Sequence, residues 1–173
     1  MNQLIFTDIL EVGKDLQCQV RDWRNKEEIR KYMINSSIIS EEDHSHFLEK
    51  LKTDDNAKFW VVFHGNKPIG SVYLKDIDYK EMSSSWGFYI GEDEYLGKGL
   101  GKKILFKLLK KVFNDMDFKI IFTEVLAANK IALNLYKKFM FQELEERDGG
   151  IVNLKFTSED WEKNKQRLEN ECN

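Results

Sequence analysis

The stretch GFYIGEDEYLGKGLGKKILFKLL, residues 87–109, decides how the chain is read. It carries a strand into a helix through Gly97, Gly99 and Gly101. Ser84 to Ile90 reads as the strand, closing on a glycine-rich turn. Leu100, Ile104, Leu105, Leu108, Leu109 and Val112 then recur at helical spacing, which predicts a helix over 100–112. Most of the intervening lysines, Lys102, Lys103, Lys107, Lys110 and Lys111, fall off that face. Glycines let the backbone turn tightly and let its N–H groups approach an anion. A helix N-terminus adds the positive end of its dipole, so a pyrophosphate suits this junction. The spacing is neither the Rossmann nor the P-loop pattern. Taken alone, the segment reads more readily as a glycine-rich helix cap without a ligand.

Downstream, Lys119 to Leu126 reads as a strand and Asn129 to Phe139 as a short helix. Phe141 to Glu146 and Ile151 to Phe156 suit a hairpin around Asp148, Gly149 and Gly150. The tail SEDWEKNKQRLENE, residues 158–171, has a thin apolar stripe and reads as a frayed helix. Upstream, KFWVVFHGNKPIGSVYL, residues 58–74, is a hairpin turning at GNKP, with Ile69 to Leu74 as the return strand. Ser40 before Glu41, Glu42 and Asp43 marks a helix start. Phe47, Leu48 and Leu51 form that helix's apolar stripe. Val20, Trp23, Ile29 and Met33 predict an earlier helix around WRNKEEIRKYM, residues 23–33, and Leu4 and Phe6 an opening strand. The expected fold is α/β: one domain over residues 1–173, with an antiparallel front half and at least one parallel crossover.

The 173 residues suffice for one core-bearing domain, and 42% hydrophobic residues beside 33% charged ones exclude a disordered chain. A net charge of −3 argues against nucleic acid or an anionic membrane as a general partner. No segment is apolar for long enough to cross a bilayer, and the N-terminus has no signal-peptide pattern. Cys18 and Cys172 have no metal-type spacing and are expected as free thiols in a reducing compartment, so a cytoplasmic location is expected. No metal site is expected.

A second segment, FTEVLAANKIALNLYKKFMF, residues 122–141, changes the reading of the first. Together the two resemble the GNAT superfamily, in which a Q/R-x-x-G-x-G/A loop is followed by N-x-x-A-x-x-x-Y-x-x-x-G-F. The chain departs from the pattern at Leu96, which fills the Q/R position, and at Met140, which fills the last glycine. Without that glycine a left-handed helix end costs more, so the helix is expected to end differently. The resemblance implies acetyl-CoA as co-substrate and a mixed, mostly antiparallel sheet whose central strands splay, flanked by helices. It implies that acetyl-CoA lies along the backbone of Phe88, Tyr89 and Ile90, and that Gly97, Lys98, Gly99, Leu100, Gly101 and Lys102 hold its pyrophosphate. Asn129 and Ala132 would complete that site, and some of the helix lysines would meet its phosphates.

Amide formation needs the amine deprotonated and the leaving thiolate protonated. Tyr136 matches the family tyrosine that donates a proton near the sulfur; the plain alternative is a packed core tyrosine. Glu124 stands twelve residues before it, the spacing of a base in the branch of the family that acetylates protein N-termini. On a strand it would share a face with Ile120, Phe122 and Leu126, where burying an acid is costly. A salt-bridged glutamate is the alternative, and a water chain ending at Glu81 would serve as well.

The front half, WRNKEEIRKYM and ISEEDHSHFLEKLK (residues 39–52), is similar to the N-acetyltransferases of the pseudaminic acid pathway, which acetylate the 4-amino group of a UDP-linked sugar. That likeness implies acceptor contacts from Arg24, His44 and Phe47: Arg suits a phosphate, and His or Phe suits stacking on uracil. Arg24 has the alternative of pairing with Glu27 or Glu28, His44 of a solvated helix start and Phe47 of the core. Other acceptors stay open: a protein N-terminus or ribosomal protein, or a polyamine held by Glu41, Glu42, Asp43, Asp76, Asp78 and Glu81. A non-catalytic acyl-CoA sensor is the reading outside enzymology. The oligomeric state is left open, with a homodimer among the options.

Overall fold

The alternating and helical patterns become elements in the expected order, with shifted boundaries. The computed structural model describes residues 3–147 and 149–172. The chain runs β1 (Leu4–Asp8), α1 (Lys14–Asn25), α2 (Glu27–Arg30), α3 (Glu41–Leu51), β2 (Lys58–His64), β3 (Lys67–Asp78) and β4 (Ser83–Ile90). It continues through α4 (Leu100–Lys110), β5 (Ile120–Leu126), α5 (Lys130–Lys138), β6 (Gln142–Arg147), β7 (Ile151–Thr157) and α6 (Ser158–Cys172). The seven strands form one sheet in the order β1-β2-β3-β4-β5-β7-β6, and only the β4–β5 pair is parallel.

Register sorts the side chains onto two faces. Trp60, Val72, Leu74, Trp86, Ile121, Val125, Leu154 and Phe156 meet α4, α5 and α6 in the larger core. Ile104, Leu105, Leu108 and Leu109 of α4 are wholly buried there, each side chain worth about 1.5–3 kcal/mol of burial. On the other face, Val61, Phe59 and Tyr89 pack with Val20 and Trp23 of α1 and with Phe47, Leu48 and Leu51 of α3.

Four expectations change. The first helix starts at Lys14 and stops at Lys26, whose backbone is extended (φ −55°, ψ 136°). Its ammonium donates to Gly91 O at 2.7 Å and pairs with Asp93 at 3.1 Å, which ties the break between α1 and α2 to the loop after β4. The tail is a complete helix: Trp161 and Leu168 are buried, and the Trp161 indole donates to Asn114 Oδ1 at 2.8 Å. Met140 adopts φ 68° and α5 ends as it would with glycine. Phe141 N donates to Tyr136 O and Met140 N to Lys137 O, both at 3.0 Å, the paired closure of a left-handed helix end. Finally, α4 ends at Lys110 and runs into a π-turn, Lys111–Asp115, that buries Val112 and Phe113. Of the hairpin turn expected around residues 148–150, Gly149 and Gly150 have φ 92° and 74°; Asp148 lies outside the described residues.

Candidate active site

Strands β4 and β5 pair at Ser83–Ile120, Ser84–Ile121 and Ser85–Phe122, and then part. From Trp86 onward the side of β4 turned toward β5 pairs with no described strand. Thr123 stands at the point of separation, its hydroxyl donating to Trp86 O at 3.2 Å. The two strands thus leave a V beside Phe88, Tyr89 and Ile90, whose backbone on that side has no partner in β5. An amide-bearing chain fits such an edge by forming strand-like bonds.

The mouth of the V leads to the N-terminus of α4. Gly97 and Gly99 both have φ 72°, a left-handed conformation that costs other residues about 1–2 kcal/mol. Gly99 is the N-cap of α4, and no side chain caps the first turn. The N–H groups of that turn stay available to an anion. Gly101 has only ordinary contacts, Phe88 at 3.7 Å and Leu135 at 3.9 Å from where a Cβ would sit. Leu96 is exposed and adds no polar group. Several of the lysines have contacts within the protein. Lys102 donates to Glu171 O at the end of α6, while Lys98, Lys107 and Lys111 lie over the rings of Tyr95, Phe6 and Trp60. Asn129 caps α5, its Oδ1 accepting from Ala132 N at 3.2 Å. Ala132 packs at the rim of the larger core.

Tyr136 enters the V from the α5 side. It is 5% exposed, edge-on to Trp86 at 5.4 Å and tilted against Phe141 at 5.2 Å. Its hydroxyl lies near Thr123, and burial raises its pKa, so the phenol keeps its proton at neutral pH. Glu124 lies on the opposite face. The burial of β5 inverts the expected pattern: Ile121, Thr123 and Val125 are buried, whereas Ile120, Phe122, Glu124 and Leu126 are half-buried. Glu124 therefore faces the α1–α3 side, with Gly87 and Tyr89 of β4, and is not an acid on a sealed apolar face. Acid and base candidates thus bracket the gap from opposite sides of the sheet. Glu81 sits in the turn before β4, at the paired end and away from the opening.

The α1–α3 side also holds Arg24. Its guanidinium donates to Asn35 O, and its Nη1 is buried without a partner. Among the described residues no carboxylate pairs with it, so the Glu27 or Glu28 alternative does not occur. Desolvation lowers its pKa, while the nearby Tyr89 and Tyr73 hydroxyls act in the other direction. Phe47 heads a row of rings, 4.7 Å from Phe59, which stacks on Tyr73 at 4.9 Å. His44 is not solvated. It is 7% exposed, 5.8 Å from Phe47, and its Nε2 bonds to Gln17 O at 2.9 Å. A carbonyl can only accept, so Nε2 carries the proton and Nδ1 is the lone pair left.

Several residues of the site were not singled out by sequence reasoning. Trp23 fixes α1 to the loop by donating to Glu92 Oε1 at 2.8 Å, with Gln19 adding a second bond at 3.0 Å. Gly91 makes room for it, since a Cβ there would fall 2.2 Å from the Trp23 ring. Tyr73 lies against Gly87, whose added Cβ would fall 2.4 Å from the Tyr73 hydroxyl. Thr123 is the buried polar residue of β5 that an alternation count could have flagged. Among the described residues, no cluster of His, Cys, Asp or Glu is placed to hold a metal ion, and no helix is long and apolar enough to cross a membrane.

Known proteins share this fold. The model of the acetyltransferase (GNAT) family matches residues 19–141. The acetyltransferase PseH of Campylobacter jejuni serotype O:2 is 30% identical over 124 residues, 72% of this chain and 75% of that protein. The structure of C. jejuni N-acetyltransferase PseH in complex with acetyl coenzyme A superposes with a TM-score of 0.71 at 22% identity, covering 90% of this chain and 99% of that one. Spermidine N-acetyltransferase from Vibrio cholerae, in complex with CoA and spermine, superposes with a TM-score of 0.82 at 20% identity, covering 92% and 98%. At these identities the two structures establish the fold.

Proposed function

The chain belongs to the acetyltransferase (GNAT) family and uses acetyl-CoA, and from that premise we propose that its acceptor is the primary amine of a nucleotide-linked amino sugar. The observation that carries this reading is Arg24, a half-buried cation that meets no carboxylate among the described residues, on the sheet face that Glu124 shares. Such a cation favours an anionic ligand over a polyamine. The relationship to the PseH acetyltransferases supports the same choice. A polyamine would need converging acids, and several candidates are engaged locally. Glu41 pairs with Arg21, Asp43 closes the capping box of α3 with Ser40, and Asp78 accepts from Lys80 N and Glu81 N.

In this reading acetyl-CoA lies along β4 with its pyrophosphate at residues 97–102, and the thioester reaches the V. The amine arrives from the α1–α3 side and loses a proton toward Glu124. Its nitrogen bonds to the thioester carbon, the C–S bond breaks, and the thiolate takes the Tyr136 proton. Neither cysteine is in the V: Cys172 ends α6 and Cys18 lies on α1. Transfer is therefore direct, helped by the fixed orientation of both substrates. Phe47 and His44 would border the nucleotide through the ring row. Thiol release from acetyl-CoA, measured across UDP-linked amino sugars, N-terminal peptides and polyamines, tests the acceptor. Turnover of the sugar is expected, with Arg24→Ala raising its KM far more than that of acetyl-CoA. Turnover confined to a peptide or polyamine would refute the reading.

A further inference from the structure

Arg30, at the end of α2, repeats what Arg24 does at the end of α1. Its Nη1 donates to Ser36 O at 3.0 Å, one residue beyond the carbonyl that Arg24 holds. Its Nε, like Arg24 Nη1, is buried without a partner. Because these carbonyls belong to consecutive residues, the two guanidiniums are neighbours. Among the described residues neither meets a carboxylate, although Glu27 and Glu28 are chain neighbours. Two like charges side by side, each with an unmet buried donor, repel one another unless an anion lies between them. Both hold residues 31–39, a segment without helix or strand that Asn25 also ties down through bonds with Ile39 N and O at 2.8 and 2.9 Å.

We propose that Arg24 and Arg30 together form a diphosphate clamp that selects a nucleoside diphosphate acceptor, with the carbonyls of Asn35 and Ser36 setting the spacing of the two forks. The proposal rests on the nucleotide-sugar reading and adds Arg30 as its specificity-determining residue. Two guanidiniums give four or more donors in two planes, which suits the bridging pair of phosphates better than one phosphate. The other diphosphate in the system belongs to acetyl-CoA, whose place is the N-terminus of α4, so the clamp leaves acetyl-CoA affinity alone.

Calorimetry with UDP, uridine and acetyl-CoA on wild type and on Arg30→Gln tests it. Glutamine keeps an amide donor for the Ser36 carbonyl and removes the charge. The expected result is UDP binding weakened at least about tenfold, uridine nearly unchanged and acetyl-CoA unchanged. A variant that binds UDP as wild type does, or that loses UDP and uridine in equal measure, assigns Arg30 to loop structure alone and overturns the clamp while leaving the acceptor reading intact. Loss of acetyl-CoA affinity would place the diphosphate of the co-substrate there and overturn it too. Wild type that ignores UDP while acetylating a peptide or polyamine would overturn the acceptor reading itself, and the clamp with it.

Discussion

Tyr136 carries the sharpest claim at the scale of one residue. Its ring packs against Trp86 and Phe141, and its hydroxyl meets Thr123, which separately donates to Trp86 O. Phenylalanine keeps the ring contacts and leaves the Thr123 bond to Trp86 in place, so Tyr136→Phe should fold and bind acetyl-CoA as before. Removing a general acid should cost kcat about 10²- to 10⁴-fold. Steady-state kinetics with the working acceptor reads this, and a loss below about threefold would leave a packed tyrosine as the better account. Because burial holds the phenol pKa above its ordinary value, its ionisation should produce no fall in kcat on the alkaline side of neutrality.

Two helix ends make opposite uses of the same backbone conformation. Gly99 opens α4 and Met140 closes α5, both left-handed, at φ 72° and 68°. At Gly99 the glycine is required twice, for the conformation and for open backbone where an anion would lie. Gly99→Val should weaken acetyl-CoA binding at least about tenfold in calorimetry, beyond a strain of about 1–2 kcal/mol in stability. At Met140 the strain is already present. The side chain is 57% exposed, so its loss removes little packing. Met140→Gly should raise stability by about 1 kcal/mol once the added freedom of the unfolded chain is subtracted. In a chain of this size that is a Tm increase of about 2–4 °C, readable by calorimetric scanning. No increase would mean that Met140 holds contacts that offset its strain.

Packing of the whole molecule places His44 between α1 and α3, where desolvation lowers its pKa below the ordinary histidine value; the Gln17 carbonyl opposes this, and Arg21 adds to the lowering. The unfolded chain therefore binds a proton at this site more readily than the folded one. Stability from the neutral ring is complete above about pH 6.5 and is lost as the pH falls from there through the folded pKa. Chemical denaturation between pH 7.5 and 5 should show this slope in the wild type. His44→Gln, which keeps a donor for Gln17 O, should flatten it; an unchanged slope would assign the acid sensitivity to other groups.

Much of this protein was readable from local chemistry. Glycines 97, 99 and 101 before an apolar helical stripe, and Asn129 seven residues before Tyr136, depend on spacing within one element, and spacing survives in a string of letters. Strand alternation in residues 58–74 and the Ser40–Asp43 helix start are local in the same sense. What needed tertiary structure were the properties set by elements distant in sequence. The exposed side of β5 depends on α4, α5 and β7, so the half-buried setting of Glu124 could not follow from alternation alone. The thin stripe of α6 suffices because Trp161 meets Phe106, Phe113 and Asn114. Arg24 and Arg30 stand six residues apart, and a continuous helix would have offered both their neighbouring glutamates. The break at Lys26, held by Gly91 and Asp93 some 65 residues away, instead turns the two arginines over one loop, with no carboxylate against either among the described residues. Spacing along the chain determined the family and the glycine turn that opens α4; the face on which Glu124 and the two arginines lie, and the charge gathered there, was decided by contacts across the fold.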